Sequence, residues 1–285
     1  MFNSGRISAG FTLVELVIVI ALLGIVGAGT AKFIRSASDI YVDVTERDSL
    51  LRSASFAVER FTREISSAVP NSVRLSGDAN THCIEFVPVN WSAFYLSLPI
   101  VGEPSPTVDI VKMTDIDDQV YTPDADDFAM VYPLNATHVY DANANRRQMI
   151  LGCSDDGDGD CSTDDDIDSV VRLEVSEGFA LSSPTSRLYI ADNAISYCTR
   201  NNALYRHVSG LSSDQILYTS GGQLMAEGIS NDLSSNPSAT PALTDPFQVV
   251  GATLTRNAYV RANFLFTRSD EQMSIVKEVH IPNVP

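Results

Sequence analysis

An apolar run of 21 residues near the start of the chain constrains its fold more than any other feature. The run extends from Phe11 to Ala31, and within it only Thr12 and Glu15 are notably polar. A helix of that length rises about 31 Å, enough to cross the roughly 30 Å hydrocarbon core of a bilayer. The run therefore predicts a membrane-spanning helix at residues 11–31, with Glu15 close to its N-terminal end.

A secretory signal peptide or a plain signal anchor is the ordinary interpretation of such a run. This run is longer than the usual signal-peptide core, and no small-residue cleavage site follows it, since the chain continues as KFIRSASDIY. Glu15 fits neither alternative, because an acidic side chain at the centre of a membrane helix costs about 2.5–3.5 kcal/mol. The cost is smaller near the end of the span, but the carboxylate still requires a partner.

The string G-FTLVELVIVIALLGIV resembles the N-terminus of type IV pilins and of type II secretion pseudopilins. Proteins of that family carry a short leader that ends in glycine, and a prepilin peptidase cuts after this glycine before the new N-terminus is methylated. The resemblance implies a leader at residues 1–10, cleavage between Gly10 and Phe11, and N-methylation of Phe11. Glu15 then occupies the position at which the family keeps a glutamate.

The resemblance also implies partners and a location. Cleavage creates an α-amino group at the membrane edge, and the Glu15 carboxylate of a neighbouring subunit can pair with it, so two costly charges become tolerable together. The implied partners are other pilins through the N-terminal helix, the prepilin peptidase and an inner-membrane assembly platform. The implied location is the inner membrane, crossed once with a periplasmic body, and later a pilus, a pseudopilus or the cell surface.

The apolar pattern becomes periodic beyond the span, so residues 32–69 are predicted to form an amphipathic half of the same helix. Apolar residues recur there at three- and four-residue spacing, which places them on one helical face. The members of this stripe are Leu50, Leu51, Ala54, Ala57, Val58, Phe61, Ile65 and Ala68. Pro70 and Asn71 then give a stop signal. We expect this half of the helix to pack under a globular head.

Residues 70–285 are predicted to form that head, and they are rich in β-strand patterns. Short segments of Val, Ile, Tyr and Phe are separated by Gly, Pro, Asn and Asp. The segment ISYCTRNNALYRH predicts a hairpin that turns near Asn201 and Asn202. No second long helix is evident in the sequence, so the predicted fold class is α+β and pilin-like, with one long N-terminal helix on an antiparallel sheet.

The head carries a second, more scattered resemblance. Its YC…LYR hairpin and terminal KEVHIPNVP are similar to the minor pilins of the mannose-sensitive haemagglutinin (MSHA) pilus, and also to the J-type minor pseudopilins of type II secretion. The pilus branch implies a structural subunit in pilus biogenesis, with no enzymatic activity. The alternatives are a minor pseudopilin, a tip adhesin that binds a surface ligand, and a periplasmic enzyme on an uncleaved anchor.

The charge of the chain argues against one class of partner. A net charge of −17 predicts no nucleic-acid partner, because binding to phosphates needs a basic footprint. Most of this charge lies in residues 101–170, which hold 17 acidic residues and three basic ones. The four histidines are dispersed and predict no catalytic triad. Trp91, Phe94 and Tyr95 are interpreted as core, with an exposed ligand platform as the alternative.

Four cysteines predict two disulfides if the head lies outside the cytoplasm. Their spacing is not that of a zinc site. Of the three possible pairings, the sequence favours Cys153 with Cys161, which closes a short local loop. Cys83 and Cys198 then remain as the long-range pair.

The segment between residues 153 and 168, CSDDGDGDCSTDDDID, forms the predicted acidic loop. Asp156, Asp158 and Asp160 alternate at the spacing that lets a tight loop direct three carboxylates to calcium. The glycine and the final glutamate of an EF-hand are missing at their usual places. We interpret the loop first as a solvated acidic segment, and calcium as a possible cofactor is the alternative.

Overall fold

The long helix predicted at the N-terminus is present in the computed structural model. The structure describes residues 12–114, 117, 120–154, 161, 169–251, 258–268 and 271–281. Helix α1 extends over Leu13–Ser66 as 54 residues. The chain divides within α1 into two units, residues 1–51 and residues 52–285. In the first unit, the described residues after Thr12 are helical throughout.

The C-terminal part of α1 contributes one face to the core of the second unit. Ala54, Ala57, Phe61 and Ile65 have no exposed surface at all. The predicted apolar stripe is confirmed at these positions. It is wrong at Leu51, which is 38% exposed. At 100° per residue Leu51 lies about 60° from the centre of the stripe, so it falls at the edge of the buried face.

A five-stranded antiparallel sheet forms the first layer of the head, in the order β1-β2-β9-β10-β11. Its strands are β1 (Arg74–Gly77), β2 (His82–Phe86), β9 (Ala194–Arg200), β10 (Ala203–Ser209) and β11 (Gln223–Glu227). Strands β9 and β10 form the predicted hairpin, which is thereby confirmed. Its two turn residues, Asn201 and Asn202, both have positive φ, at 48° and 58°. That is the two-residue turn that matches the twist of a hairpin, and asparagine tolerates it well.

A closed six-stranded barrel is inserted between β2 and β9, which are neighbours in the sheet. Its strands follow the order β3-β4-β7-β6-β5-β8 around the barrel. They are β3 (Trp91–Ser97), β4 (Thr107–Val111), β5 (Phe128–Val131), β6 (Arg147–Ser154), β7 (Val170–Val175) and β8 (Arg187–Ala191). A short helix α2 (Ala136–Tyr140) and a 3-10 turn (Ala142–Ala144) connect β5 to β6. The sequence did not predict the barrel, because closure depends on pairing between β3 and β8, which are far apart in the chain.

A three-stranded antiparallel sheet completes the head, in the order β12-β13-β14. Its strands are β12 (Phe247–Val250), β13 (Tyr259–Arg268) and β14 (Glu271–His280). The segment that follows β11 pairs with β13 through the bridge between Ile229 and Phe266. The two sheets of the head therefore adjoin along β13.

Phe61 joins the helix to both sheets. Its ring centroid lies 5.1 Å from that of Tyr197 on β9, 5.7 Å from Phe247 on β12 and 6.3 Å from Phe264 on β13. The contacts with Tyr197 and Phe264 are edge-to-face, the arrangement that aromatic rings prefer. Removal of such a ring costs about 3–5 kcal/mol. The α+β arrangement, a long helix on antiparallel sheet, is therefore confirmed and rests on this aromatic contact.

A polar contact lies beside the aromatic one. Glu64 accepts hydrogen bonds from Arg206 Nε at 2.9 Å, from the Tyr197 hydroxyl at 2.8 Å and from Arg60 Nε at 2.9 Å. Burial alone would raise the pKa of the Glu64 carboxyl, but the hydrogen bonds from Arg206, Arg60 and Tyr197 outweigh it and lower this pKa. Glu64 is therefore held as a carboxylate that binds the end of α1 to the hairpin of β9 and β10.

Candidate functional site

The N-terminal end of α1 is closed by Thr12. Its side-chain oxygen accepts a hydrogen bond from the Glu15 backbone N–H at 3.3 Å, and its carbonyl accepts one from the Leu16 N–H at 3.2 Å. Thr12 thus satisfies a donor that the first turn of the helix would otherwise leave unpaired. Glu15 lies in that first turn, where the helix macrodipole favours a negative side chain. The backbone therefore fixes Glu15 at the N-terminal end of the apolar helix.

The helix beyond this cap exposes its apolar side chains on all faces. The large side chains from Leu13 to Val26 are all exposed, and the apolar span is not buried by the rest of the chain. By length and composition α1 is able to cross a membrane. Apolar surface in water costs about 25 cal/mol per Å². The span therefore requires lipid or other helices around it.

The cap, the acidic first turn and the apolar span coincide with one known sequence signal. Residues 5–31 match the prokaryotic N-terminal methylation motif. The match supports a type IV pilin-like signal of the prepilin class, and with the exposed helix it fits anchoring in a membrane. No curated protein and no solved structure matched the chain.

The methylation motif contains three of the predicted site residues, and one further residue that sequence reasoning missed. Gly10 and Phe11 lie outside the described residues, so cleavage between them and methylation of Phe11 stay predictions. Glu15 lies in the first helical turn. The missed residue is Thr12. The signature Thr-x-x-Glu, typical of a helix N-terminus, would have identified it as the cap three residues before Glu15.

Two disulfides stabilise the head in the pairing that the sequence favoured. Cys83 on β2 is bonded to Cys198 on β9, directly opposite in the register, with 4.1 Å between their Cα atoms. Cys153 is bonded to Cys161, with 5.5 Å between their Cα atoms. The first bond joins the two neighbouring strands between which the barrel is inserted, three residues before β2 ends at Phe86. It therefore closes a loop of the chain that contains all six barrel strands.

The predicted calcium ligands Asp156, Asp158 and Asp160 lie outside the described residues. Calcium binding by the acidic loop stays a prediction, and a solvated loop stays its alternative. A calorimetric calcium titration of the full chain separates them. The site would be excluded if no heat of binding were measured at millimolar calcium, or if Asp158→Ala left the heat of binding unchanged.

The aromatic side chains that could form a ligand platform divide between core and surface. Tyr95 is buried in the barrel, and Trp91 is partly buried with its ring 5.5 Å from that of Tyr121. Phe94 is 51% exposed and lies 5.4 Å from the Arg187 guanidinium. The interpretation of all three as core is therefore wrong for Phe94, which lies on the outer surface of the barrel. A single exposed ring beside a single cation offers only a small surface to a ligand.

An open polar cavity lies at the end of the hairpin of β9 and β10. It has a volume of about 470 Å³. Polar groups in its lining include Asn80, Arg200, Asn202 and Asp232. Arg200 also lies 3.8 Å from the centre of the Tyr205 ring and donates to the Gly221 carbonyl, so its guanidinium is held in place. The cavity is suited to a small polar group rather than to an apolar ligand.

Proposed function

We propose that this chain is a minor subunit of a type IV pilus, made as a prepilin and cleaved between Gly10 and Phe11. The mature helix would pack among the helices of other pilins, and the head would lie at the surface or tip of the filament. The role is structural: the subunit takes part in assembly and carries out no reaction. The prepilin peptidase and an inner-membrane assembly platform are its further partners.

The position of Glu15 carries this proposal. The carboxylate lies in the first turn of a helix whose apolar side chains are exposed on all faces, within the methylation motif. A charge at that depth requires an opposite charge. The α-amino group of Phe11, created by cleavage on a neighbouring subunit, supplies one. Pairing of the two would set the position of each helix relative to the next.

The head supports a location outside the cytoplasm. Two disulfides form readily in an oxidising compartment such as the bacterial periplasm. Together with one apolar helix, this favours a single-pass inner-membrane protein with a periplasmic head. Among pili, the resemblance of the hairpin and the C-terminal segment favours the MSHA type and a subunit like its MshO minor pilin. A J-type minor pseudopilin of type II secretion is the alternative.

N-terminal sequencing of the mature protein tests the processing step. We expect a chain that begins with N-methylated Phe11. A membrane-bound chain that retains residues 1–10 in cells with an active prepilin peptidase would contradict the proposal.

Deletion of the gene, followed by imaging of surface filaments, tests the role. A pilus subunit needed for biogenesis predicts few or no pili, restored by the wild-type chain. Normal pili together with retention of secreted proteins would instead assign the chain to a secretion pseudopilus.

A tip adhesin is the second candidate, and the polar cavity at the hairpin of β9 and β10 favours it. Substitution of Asn80 by Leu would block the cavity while the helix and Glu15 remain intact. An adhesin predicts normal pili that no longer attach. Attachment equal to that of the wild type would remove this candidate.

A further inference from the structure

Strand β14 is the outer strand of the three-stranded sheet and forms a hairpin with β13. The two strands pair without interruption from Tyr259–His280 to Arg268–Glu271. No strand among the described residues pairs with the other edge of β14. With ten residues, β14 is about twice the usual strand length. Proteins commonly protect such edges by short strands, bulges, prolines or charged side chains. Strand β14 has no bulge and no proline within Glu271–His280, and its charged residues are Glu271, Lys277 and Glu278.

The apolar row across this hairpin is incompletely covered at the same edge. Residues opposite each other in an antiparallel pair lie on the same face. Phe264 and Phe266 on β13 are fully buried, whereas their partners Ile275 and Met273 on β14 are partly exposed. The buried face of the sheet therefore continues outward to β14 and stops without a neighbour among the described residues.

We propose that the β14 edge pairs antiparallel with β14 of a second copy of this chain, about a two-fold axis at Ser274. In this register Met273 of each copy lies opposite Ile275 of the other copy, which gives two such pairs. Both pairs continue the row that Phe264 and Phe266 begin. The edge strand of each copy would then become an internal strand of a six-stranded sheet, in which its outward-facing backbone groups pair with those of the other copy.

Charge complementarity selects this register. Pairing about Ser274 places Glu271 of each copy opposite Lys277 of the other copy, which gives two pairs of opposite charge. Registers shifted by two residues, about Val276 or about Gln272, place no opposite charges face to face along the strand. A one-residue shift, about Ile275, places Lys277 opposite Met273 and Glu271 opposite Val279. Opposite-charge and apolar cross-strand pairs contribute about 0.2–1 kcal/mol each, so four favourable pairs decide the register.

The contact is closed by its own symmetry. The same surface of both copies is used, so the interface produces a dimer and does not extend to a fibre. A helical filament repeats one subunit by rotation and translation and does not contain such a two-fold pair. The inference therefore concerns the membrane pool of the chain and does not depend on the pilin assignment.

Disulfide trapping in the full chain in membranes tests the pairing. In Ser274→Cys, the two introduced thiols would face each other with about 5 Å between Cα atoms, within the range of a disulfide. An added copper–phenanthroline oxidant removes the two thiol hydrogens and forms one S–S bond. The native cysteines are already paired. We expect a covalent dimer on a non-reducing gel.

Val276→Cys is the matched control, since Val276 is exposed on the same strand and the same face. In the proposed register the two Val276 residues would be about 14 Å apart along the strands, beyond the reach of a disulfide. Equal trapping of both variants would overturn the register and indicate random collision. Trapping of Ser274→Cys to a different protein, with no dimer, would overturn pairing with a second copy.

A charge exchange gives an independent readout in the Ser274→Cys background. Lys277→Glu places like charges opposite each other twice, and we expect trapping to fall by about tenfold, which corresponds to roughly 1.4 kcal/mol. Adding Glu271→Lys exchanges the two charges and should restore the dimer. Equal trapping in the single and the double charge variants would overturn the proposal.

Discussion

Glu64 and Arg206 form the ion pair that binds the end of α1 to the five-stranded sheet, with 2.9 Å between Arg206 Nε and Glu64 Oε2. About 15% of the Arg206 side chain and 17% of the Glu64 side chain is exposed. The pair is shielded from most of the solvent, and Tyr197 donates to the same carboxylate oxygen. Because hydrogen bonds are directional, this polar contact orients α1 on the sheet, whereas the apolar packing of Phe61 alone is less directional.

Loss of the Glu64 carboxylate should destabilise the head. A hydrogen bond to a charged group contributes about 1.5–3 kcal/mol, so we expect Glu64→Gln to lower the free energy of unfolding by about 2 kcal/mol. Chemical denaturation of the full chain in detergent measures this. Tyr197→Phe is the matched control, because it removes one hydrogen bond and keeps the ring, and it should cost less. Equal costs would contradict a leading role for the ion pair.

The same carboxylate predicts that the free energy of unfolding depends on pH in the acidic range. The pKa of Glu64 is lower in the folded chain than its ordinary value of 4.5. Stability from the carboxylate is then fully present above about pH 4.5 and is lost as the pH falls through the folded pKa. The difference in unfolding free energy between wild type and Glu64→Gln should therefore shrink below pH 4.5. A constant difference from pH 7 to pH 3 would refute this.

Protonation of His207 predicts a second pH dependence of the free energy of unfolding, closer to neutral pH. Its ring stacks on Tyr218 at 4.0 Å, and burial, followed by the charge of Arg200, lowers its pKa. The unfolded chain takes up the proton first, near pH 6.5, so stability falls as the pH drops from about 6.5 toward the folded pKa. His207→Phe keeps a ring against Tyr218 without a proton to gain. Wild type should lose stability relative to this variant between pH 7.5 and pH 5, and parallel curves would contradict it.

The two disulfides should differ in their contribution to stability. In the chain-entropy account, a disulfide stabilises more when it closes a longer loop. The Cys83–Cys198 bond spans 115 residues and the Cys153–Cys161 bond spans eight. We expect replacement of both residues by Ala to cost about 5 kcal/mol for the first bond and about 2.5 kcal/mol for the second. The opposite order in denaturant unfolding would show that loop length does not set the contributions of the two bonds.

Substitutions at Thr12 and Glu15 distinguish a role in starting the helix from a role in filament assembly. Glu15→Gln should still be processed and inserted, but incorporation into filaments should fall by about tenfold or more, since a lost charge pair of 1.4 kcal/mol is a factor of ten. Thr12→Ala is the matched control, because it removes the cap and keeps the carboxylate. Quantitative blotting of sheared filaments measures both. Equal losses in the two variants would assign Glu15 to the helix start alone.

The N-terminal helix of this protein was determined by its sequence to a large extent. A continuous apolar run, a threonine cap and one glutamate are local features, and an α-helix forms its backbone hydrogen bonds within its own segment. The stripe from Ala54 to Ile65 follows a 3.6-residue period that any packed helix imposes. The β9–β10 hairpin is local as well, since two asparagines at the turn favour the required positive φ.

Only the tertiary structure decided how the rest of the head is arranged. The barrel closes by pairing β3 with β8, and Glu64 meets Arg206 across 142 positions of the chain. The outer edge of β14, which pairs with no strand in the described part of the chain, was equally hidden, because an edge is defined by the absence of a neighbour. These relationships depend on long-range pairing, for which short-range patterns carry little information. Local chemistry therefore determined the apolar N-terminal helix, and distant contacts determined the surfaces that the head presents.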